Sequence, residues 1–575
     1  MNKVMASFVG VALIISITIV QPASSLEKSL VEWMEYSEET FKYARNNNKP
    51  IFMLVTAAWC FWCTVYETNS LESADVAYYL NNNYVNVFVD FDKRKDIVAG
   101  RFSPTGLPYT VILSPTDEPL ASRPGYIEKK TLLENLKKTA EYVKTKYKPS
   151  TIDEAGQVAN KLDFVPTDND NLDTALLLMQ AIVTNNYDKE YGGFGDREKK
   201  AHGGSISFLL ELYKDTNEQK WLDMATKSLD YVGGAIKAGE RSDAKPALSY
   251  LIKLHSDREA KGWVKKIGLL QREDKIYGLF DTVDGGFFRY SLQKDWSLPH
   301  FEKMLQENAE LIEAYLKAYE ITGNTRYKEL AGAALDYAMN TLYDKLGYFY
   351  GSQAADGVYY HLNSSERKLV SPPSIDKTGY SASNALMLIA MLDAWQTLND
   401  TKYKEVAVKV FDFFIKNMIT SEGMLSYYNH KSKKGELDGQ LVDNAIFALA
   451  LLKGYRTLGD LNLLEQAERI LKFMQSNLHD SSGGGFVGRK STSKKYYRTG
   501  DHVSTNKPYV GNGIAAYTLL MAHSATGEKE YLQTAKETTG LFLAEYPNAS
   551  KPWFQRVCIK LKKLNYEERN SLNEN

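Results

Sequence analysis

Cys60 and Cys63 are the residues of this chain best placed to do chemistry, because the one other cysteine, Cys558, lies 495 positions further on. They follow a short apolar run, Pro50 to Thr56, and lead into residues that suit a helix, so the pair marks a strand-to-helix junction. A helix N-terminus sets unpaired N–H groups and a positive dipole end beside Cys60, favouring thiolate over thiol. Cys60 is therefore the expected nucleophile. Cys63, one turn on, can attack a mixed disulfide and release the partner, which makes it the resolving thiol. A zinc half-site needs two further ligands of matching geometry, and two inert buried cysteines give no reason for the junction. Reversible thiol–disulfide exchange is the expected chemistry, with no metal and no cofactor.

The elements that must hold this pair read as α/β. A second strand spans Val85 to Asp90, a third Tyr109 to Leu113, a turn follows at Ser114 to Asp117, and a helix runs from about Glu128 to Lys146. Trp59 before Cys60, a CxxC that opens a helix, and Pro108 before the third strand resemble the thioredoxin fold. The resemblance implies a cis bond at Leu107-Pro108 in a loop facing the disulfide, so Trp59 and Pro108 are expected to support the redox pair. Leu54 stands where many thioredoxins carry a buried acid, and Phe61-Trp62 stands where thioredoxin has Gly-Pro. Whether the pair reduces or oxidises its partners is left open.

Composition bounds the partners. With 70 Lys+Arg against 71 Asp+Glu, the formal charge is −1 and gives no excess for capturing nucleic acid. Lys3, the uncharged run Phe8 to Val20, Gln21-Pro22 and Ala23-Ser24-Ser25 have the order of a secretory signal. Residues 1–25 are thus expected to be a signal peptide cleaved after Ser25, or alternatively an uncleaved membrane anchor. Either way the folded part is extracytoplasmic, with the membrane touched only through that segment.

Residues 26–150 are the expected thioredoxin-like unit, and 151–575 carry a repeat. Asn308-Ala309 is followed at offsets of 15, 4 and 4 by Gly323, Tyr327 and Ala331. The same offsets join Asn384-Ala385 to Asn399, Tyr403 and Ala407, Asn444-Ala445 to Gly459, Leu463 and Ala467, and Asn512-Gly513 to Gly527, Tyr531 and Ala535. A weaker copy runs from His202-Gly203 to Asn217, Trp221 and Ala225. Apolar spacing between these marks is helical, so each copy is a hairpin, and glycine–aromatic corners such as Gly285-Gly286-Phe287 and Gly484-Gly485-Phe486 end the second helices. A helix near Leu172 to Thr184 and one near Pro552 to Leu564 supply a sixth pair. The expected fold is multidomain: an α/β thioredoxin-like unit followed by an all-α (α/α)6 toroid, with an open solenoid as the rival.

The stretch Asp284 to Ser291, then Trp296 to Leu305 with Pro299-His300-Phe301-Glu302-Lys303-Met304 at its centre, resembles a signature of the YyaL-type, spermatogenesis-associated thioredoxin-like family. That resemblance implies a thioredoxin-like domain joined to a six-hairpin, N-acylglucosamine-epimerase-like barrel. It covers nearly the whole chain in domain order. The family's usual histidines around the cysteines are absent, its Asp-Asn-Ala reads Glu307-Asn308-Ala309, and extra helix is expected near 241–276.

In carbohydrate enzymes of this barrel type, carboxylates or histidines in the mouth act as acid and base. Loop placement makes His300, Glu302, Asp376, Asp443, Asp501 and His502 candidates, with Trp296, Tyr290 and Tyr509 as rings for sugar stacking. The plainer reading is that His300 and Glu302 pin a loop and that the acids cap helices. The expectation is an exported thiol–disulfide oxidoreductase or redox-linked folding factor, with protein thiols or disulfides as partners and a saccharide or peptide in the barrel. The rivals are a carbohydrate-active epimerase- or glycosidase-like barrel and a non-catalytic scaffold.

Overall fold

Strand β1 (Trp33–Glu35) is followed by α1 (Glu38–Asn46), capped by Ser37, whose side chain accepts the Thr40 N–H. Then come β2 (Ile51–Thr56), α2 (Phe61–Tyr66), α3 (Ala74–Asn83), β3 (Val85–Asp90), β4 (Tyr109–Leu113), β5 (Pro119–Pro124) and α4 (Lys129–Thr145). The computed structural model describes residues 29–102, 104–147, 164–234, 278–357, 359–491, 497, 503–504, 506–543 and 552–573. The leader expected over 1–25, the added helix near 241–276, Asp501 and His502 lie outside the described residues.

The sheet runs β1-β3-β2-β4-β5, with β1, β3 and β2 parallel and β4 and β5 antiparallel. Central β2 is buried on both faces, which is why it reads as an unbroken apolar run. Its alternate residues feed two cores: Met53 and Val55 on one side, Phe52 and Leu54 on the other. The three expected strands are β2, β3 and β4, and the sequence reading lacked β1 and β5.

Twelve helices of thirteen residues or more among the described residues build the remainder: α5 (Asn169–Asn186), α6 (Gly203–Thr216), α7 (Gln219–Val232), α8 (Leu305–Thr322), α9 (Thr325–Tyr337), α10 (Ser381–Leu398), α11 (Thr401–Asn417), α12 (Leu441–Leu458), α13 (Leu461–Phe473), α14 (Tyr509–Thr526), α15 (Lys529–Phe542) and α16 (Pro552–Asn573). The inner helices α6, α8, α10, α12, α14 and α16 pack each on the next, and α16 returns to α6. Their outer partners are α7, α9, α11, α13, α15 and, closing the ring, α5. The fold is thus an α/β unit followed by a closed (α/α)6 toroid, not an open solenoid.

The repeat offsets have a physical meaning. Asn217, Gly323, Asn399, Gly459 and Gly527 end the inner helices in left-handed backbone, φ 55° to 79°. The asparagines that open four of the repeats are buried clamps. Asn308 accepts the Phe287 N–H at 2.7 Å and donates to the Phe287 carbonyl at 3.0 Å. Asn384 does the same to Phe349 and Asn512 to Phe486, while Asn444 accepts the Met424 N–H at 2.8 Å. Each ties an inner helix to the corner where the preceding outer helix turns back.

Charges cross the ring's interior in a balanced network. Lys317 reaches Glu211 and Glu313, the latter at 2.7 Å, and Arg556 reaches Glu211 and Glu313 at 3.1 Å each. Lys453 meets Asp393 at 2.5 Å. Burial alone would raise the Glu313 carboxyl, but Lys317 and Arg556 hold it far below the usual range.

The connections that enter the inner helices at their N-termini carry the sheet unit. Tyr427, Leu437 and Tyr497 of the barrel share one core with Tyr36, Phe41 and the β2–β4 side chains. Arg489 donates to the Asp96 carbonyl at 2.8 Å, and the Arg94 guanidinium lies 5.2 Å from the Tyr497 ring centre.

Candidate functional site

The chain leaves β2 at Thr56 and turns through Trp59 into α2, whose N-cap is Cys60 in extended backbone. The Cys60 sulfur accepts the Cys63 N–H at 3.2 Å, the helix-head contact the sequence calls for. The two cysteines are joined as a disulfide, with a Cα–Cα separation of 5.3 Å. Leu107-Pro108 is cis, as the thioredoxin resemblance implied, and Leu107 packs on the cysteine cluster with Trp62, Phe91 and Met304. Leu54 is buried in the sheet core. A buried acid does lie nearby: Glu67, one turn after Cys63, accepts from Thr56 Oγ1 at 3.0 Å.

The sulfurs sit at a strand end but under cover: Cys60 is 5% exposed and Cys63 1%. The ring at the surface is Phe61, 45% exposed, set edge-on to Trp62. Part of the cover belongs to the barrel. Met304, the N-cap of α8, packs on the cysteine cluster, and Arg289 lies over the Trp59 ring at 4.1 Å. Neither contact was foreseen, because nothing in the spacing of residues 59 and 289 signals that they meet.

The barrel candidates divide. Tyr290 on β7 (Tyr290–Ser291) pairs with His300 on β8 (Pro299–His300); β6 (Lys199–Lys200) flanks β7. Their rings stack at 4.8 Å with planes 9° apart. His300 Nδ1 meets Glu302 Oε2, and Glu302 is fully buried with its other oxygen unpartnered. A carboxylate that orients a histidine whose ring is partly accessible is an arrangement suited to proton transfer. Burial pushes the Tyr290 hydroxyl far above its ordinary range.

The others lie elsewhere. Trp296 is buried in the barrel core with its Nε1–H donated to the Tyr191 carbonyl at 2.9 Å, so it offers no face to a sugar. Asp443 is in the first turn of α12, among Ser426, Lys95 and Asp96, and burial raises its carboxyl to about 6. Asp376 accepts the Tyr380 hydroxyl at 2.9 Å, beside Asp90 of the sheet unit. Tyr509 packs on Phe542 and Phe554. Cys558 is fully buried on α16, which pushes its thiol up to about 12. Two carboxylates of α8 were not among the candidates. Glu307 is in its first turn, and Glu310 is raised to about 7 by burial and then by the charge of Glu307.

These residues frame the comparison with known proteins. A family model, Thioredox_DsbH, described as a protein of unknown function, DUF255, matches residues 24–163. That segment is similar to this family. Spermatogenesis-associated protein 20 of Mus musculus is 26% identical over 356 residues, 57% of this chain and 39% of that protein. Its Homo sapiens counterpart is 26% identical over 396 residues, 62% of this chain and 44% of that one. The chain thus spans less than half the length of these curated relatives, and the family resemblance read from the signature string holds. The cellobiose 2-epimerase of Spirochaeta thermophila aligns with 69% of this chain and 96% of its own, at a TM-score of 0.51 and 13% identity, a likeness of fold.

Proposed function

We propose that the chain is an exported thiol–disulfide oxidoreductase or redox-linked folding factor, its thioredoxin-like unit over 26–150 working beside a glycan- or peptide-binding barrel over 151–575. The observation that carries this reading is the Cys60–Cys63 disulfide at the head of α2, with the Cys63 N–H on the Cys60 sulfur. In the oxidising direction, a partner thiolate attacks one sulfur of the disulfide and forms a mixed disulfide. The partner's second thiolate then attacks its own bound sulfur, leaving both cysteines of this chain reduced and the partner oxidised. The reverse sequence reduces a partner disulfide, with Cys60 attacking and Cys63 resolving. The leader-like residues 1–25 favour an oxidising compartment, where disulfides persist.

The test is alkylation and mass measurement across a series of glutathione potentials. The expected result is a reversible loss of two hydrogens confined to Cys60 and Cys63; thiols that never interconvert end the reading. Cys63→Ser should strand partner proteins on Cys60 as mixed disulfides.

A second reading, a barrel that binds or acts on saccharide, is favoured by the His300–Glu302 pair stacked on Tyr290. It predicts that a saccharide panel including cellobiose raises the melting temperature, and that His300→Ala abolishes the rise. No shift with any sugar removes it.

A further inference from the structure

Trp59, the residue before the proposed nucleophile, is held from three sides, and two of the holds come from the barrel. Within its own unit its Nε1–H donates to Asp92 Oδ2 at 2.5 Å. Its carbonyl accepts the Ala355 N–H at 3.5 Å, and its ring lies under the Arg289 guanidinium, 4.1 Å from the ring centre. Arg289 Nε is in turn 3.8 Å from Glu307 Oε1 in the first turn of α8, the helix whose N-cap Met304 packs on the cysteines. One barrel segment therefore brings a cation and its counter-ion to Trp59 and an apolar cover to the cysteines beside it.

We infer that Arg289 is a positioning residue for Cys60, a cation supplied by the barrel that fixes the head of the CxxC through Trp59 and biases the neighbouring sulfur toward thiolate. The inference rests on the redox reading of the previous section and extends it: the redox centre is composite, and the barrel is part of it. A planar guanidinium at this distance is within stacking range of an indole, and a lysine keeps the charge but not the plane. In a half-buried setting the charge acts on a nearby thiolate with less screening than in water. The other charged groups around the pair are already matched or lie on other sides. Asp92 pairs with Lys95 at 3.4 Å, Asp90 with Lys93 at 3.4 Å, and Glu67 lies below Cys63 against Thr56. Arg289 and Glu307 are the pair at the barrel side of Trp59.

This gives two variants with opposite signs. With the reduced full-length chain, the rate of Cys60 alkylation by iodoacetamide is followed by mass spectrometry from about pH 5 to about pH 10. Arg289→Ala should move the Cys60 titration upward and slow alkylation near neutrality by about 3- to 10-fold, half to one unit of thiol acidity. Arg289→Lys should recover part of that loss. Glu307→Gln leaves the arginine uncompensated and should move the titration downward and speed the reaction by a similar factor. Profiles of Arg289→Ala and Glu307→Gln that superimpose on the parent, or that shift in the same direction, overturn the inference. If Arg289→Ala fails to fold, Glu307→Gln alone decides, and an unshifted profile overturns it. A parent chain that never forms a reversible Cys60–Cys63 bond sinks the redox reading, whereas a reversible bond with unmoved profiles sinks this inference alone.

Discussion

Lys303 lies inside the most specific string of the sequence, yet its role is structural. Its ammonium donates to Asp281 at 2.7 Å and to the Gly285 carbonyl at 2.6 Å, with the Tyr337 ring 4.3 Å away. Lys199 repeats the device on Asp188 and Gly192, and Lys507 on Asp480 and Gly483. Each lysine bolts a glycine corner. Burial drives the Lys303 ammonium down to about 8, but its removal leaves the Asp281 carboxylate with Arg367 as its cation and the Val283 N–H as its other donor. Lys303→Met should cost about 3 kcal/mol, read from chemical denaturation, while leaving thiol exchange intact in the folded fraction. Glu310 behaves differently. Its folded value of about 7 exceeds an unfolded value near the ordinary glutamate range, so between the two the folded chain keeps a proton that the unfolded chain has lost. Its contribution is therefore most favourable at acid pH and declines as pH rises through that window. Glu310→Gln should raise the melting temperature at about pH 8 and change it little at about pH 5, and an equal change at both removes the assignment. Cys60 and Cys63 were legible because local spacing and chemistry mark them, and Trp59 and Pro108 because they match the thioredoxin pattern. Arg289, Met304 and Ala355 were not, because a contact over more than 200 positions leaves no period to read.

The helical hairpin is the element the sequence spells out most clearly, since every marked residue answers a local backbone need. Left-handed caps require glycine or asparagine, and Gly459 at φ 73° has open space around it. Gly459→Ala should cost about 1 kcal/mol, the backbone term alone. Gly286, at φ 76°, would place a new Cβ 2.5 Å from the Tyr337 ring, so Gly286→Ala should cost markedly more. Asn444→Ala leaves the Met424 N–H and the Gln440 carbonyl without that buried partner and should cost about 2–4 kcal/mol. Asp at the same position should not restore it, because the donor to Gln440 is lost. Denaturant midpoints of the four variants rank these expectations. The elements that escaped sequence reading lack such needs. β1 has three residues and no alternation to display, and β5 is an exposed edge strand with proline at both ends. Trp296 misled for a related reason: a tryptophan in a loop reads as a sugar platform, but its left-handed backbone, φ 64°, turns it into the core.

At the scale of the molecule, the sheet unit and the toroid share a hydrophobic core rather than merely touching. Tyr427, Leu437 and Tyr497 are buried among sheet residues, and Arg489 ties the barrel to the Asp96 carbonyl. A joint core of this kind makes relative motion of the two parts costly, and it holds Met304 on the cysteine cluster and Arg289 over the Trp59 ring. The docking surface and the thiol environment are therefore separable by experiment. Leu437→Asp buries an unpaired charge in the shared core and should loosen docking without touching Trp59 or the cysteines. The sulfurs would then be reached more easily, so Cys60 alkylation should rise several-fold at high pH, where all thiol is already thiolate. That signature differs from the change expected for Arg289→Ala, which moves the midpoint and spares the plateau. A plateau unchanged in Leu437→Asp, with the variant still folded by circular dichroism, means the barrel does not control access to the disulfide. In that case Met304 does not limit access to Cys60, and barrel docking serves stability alone.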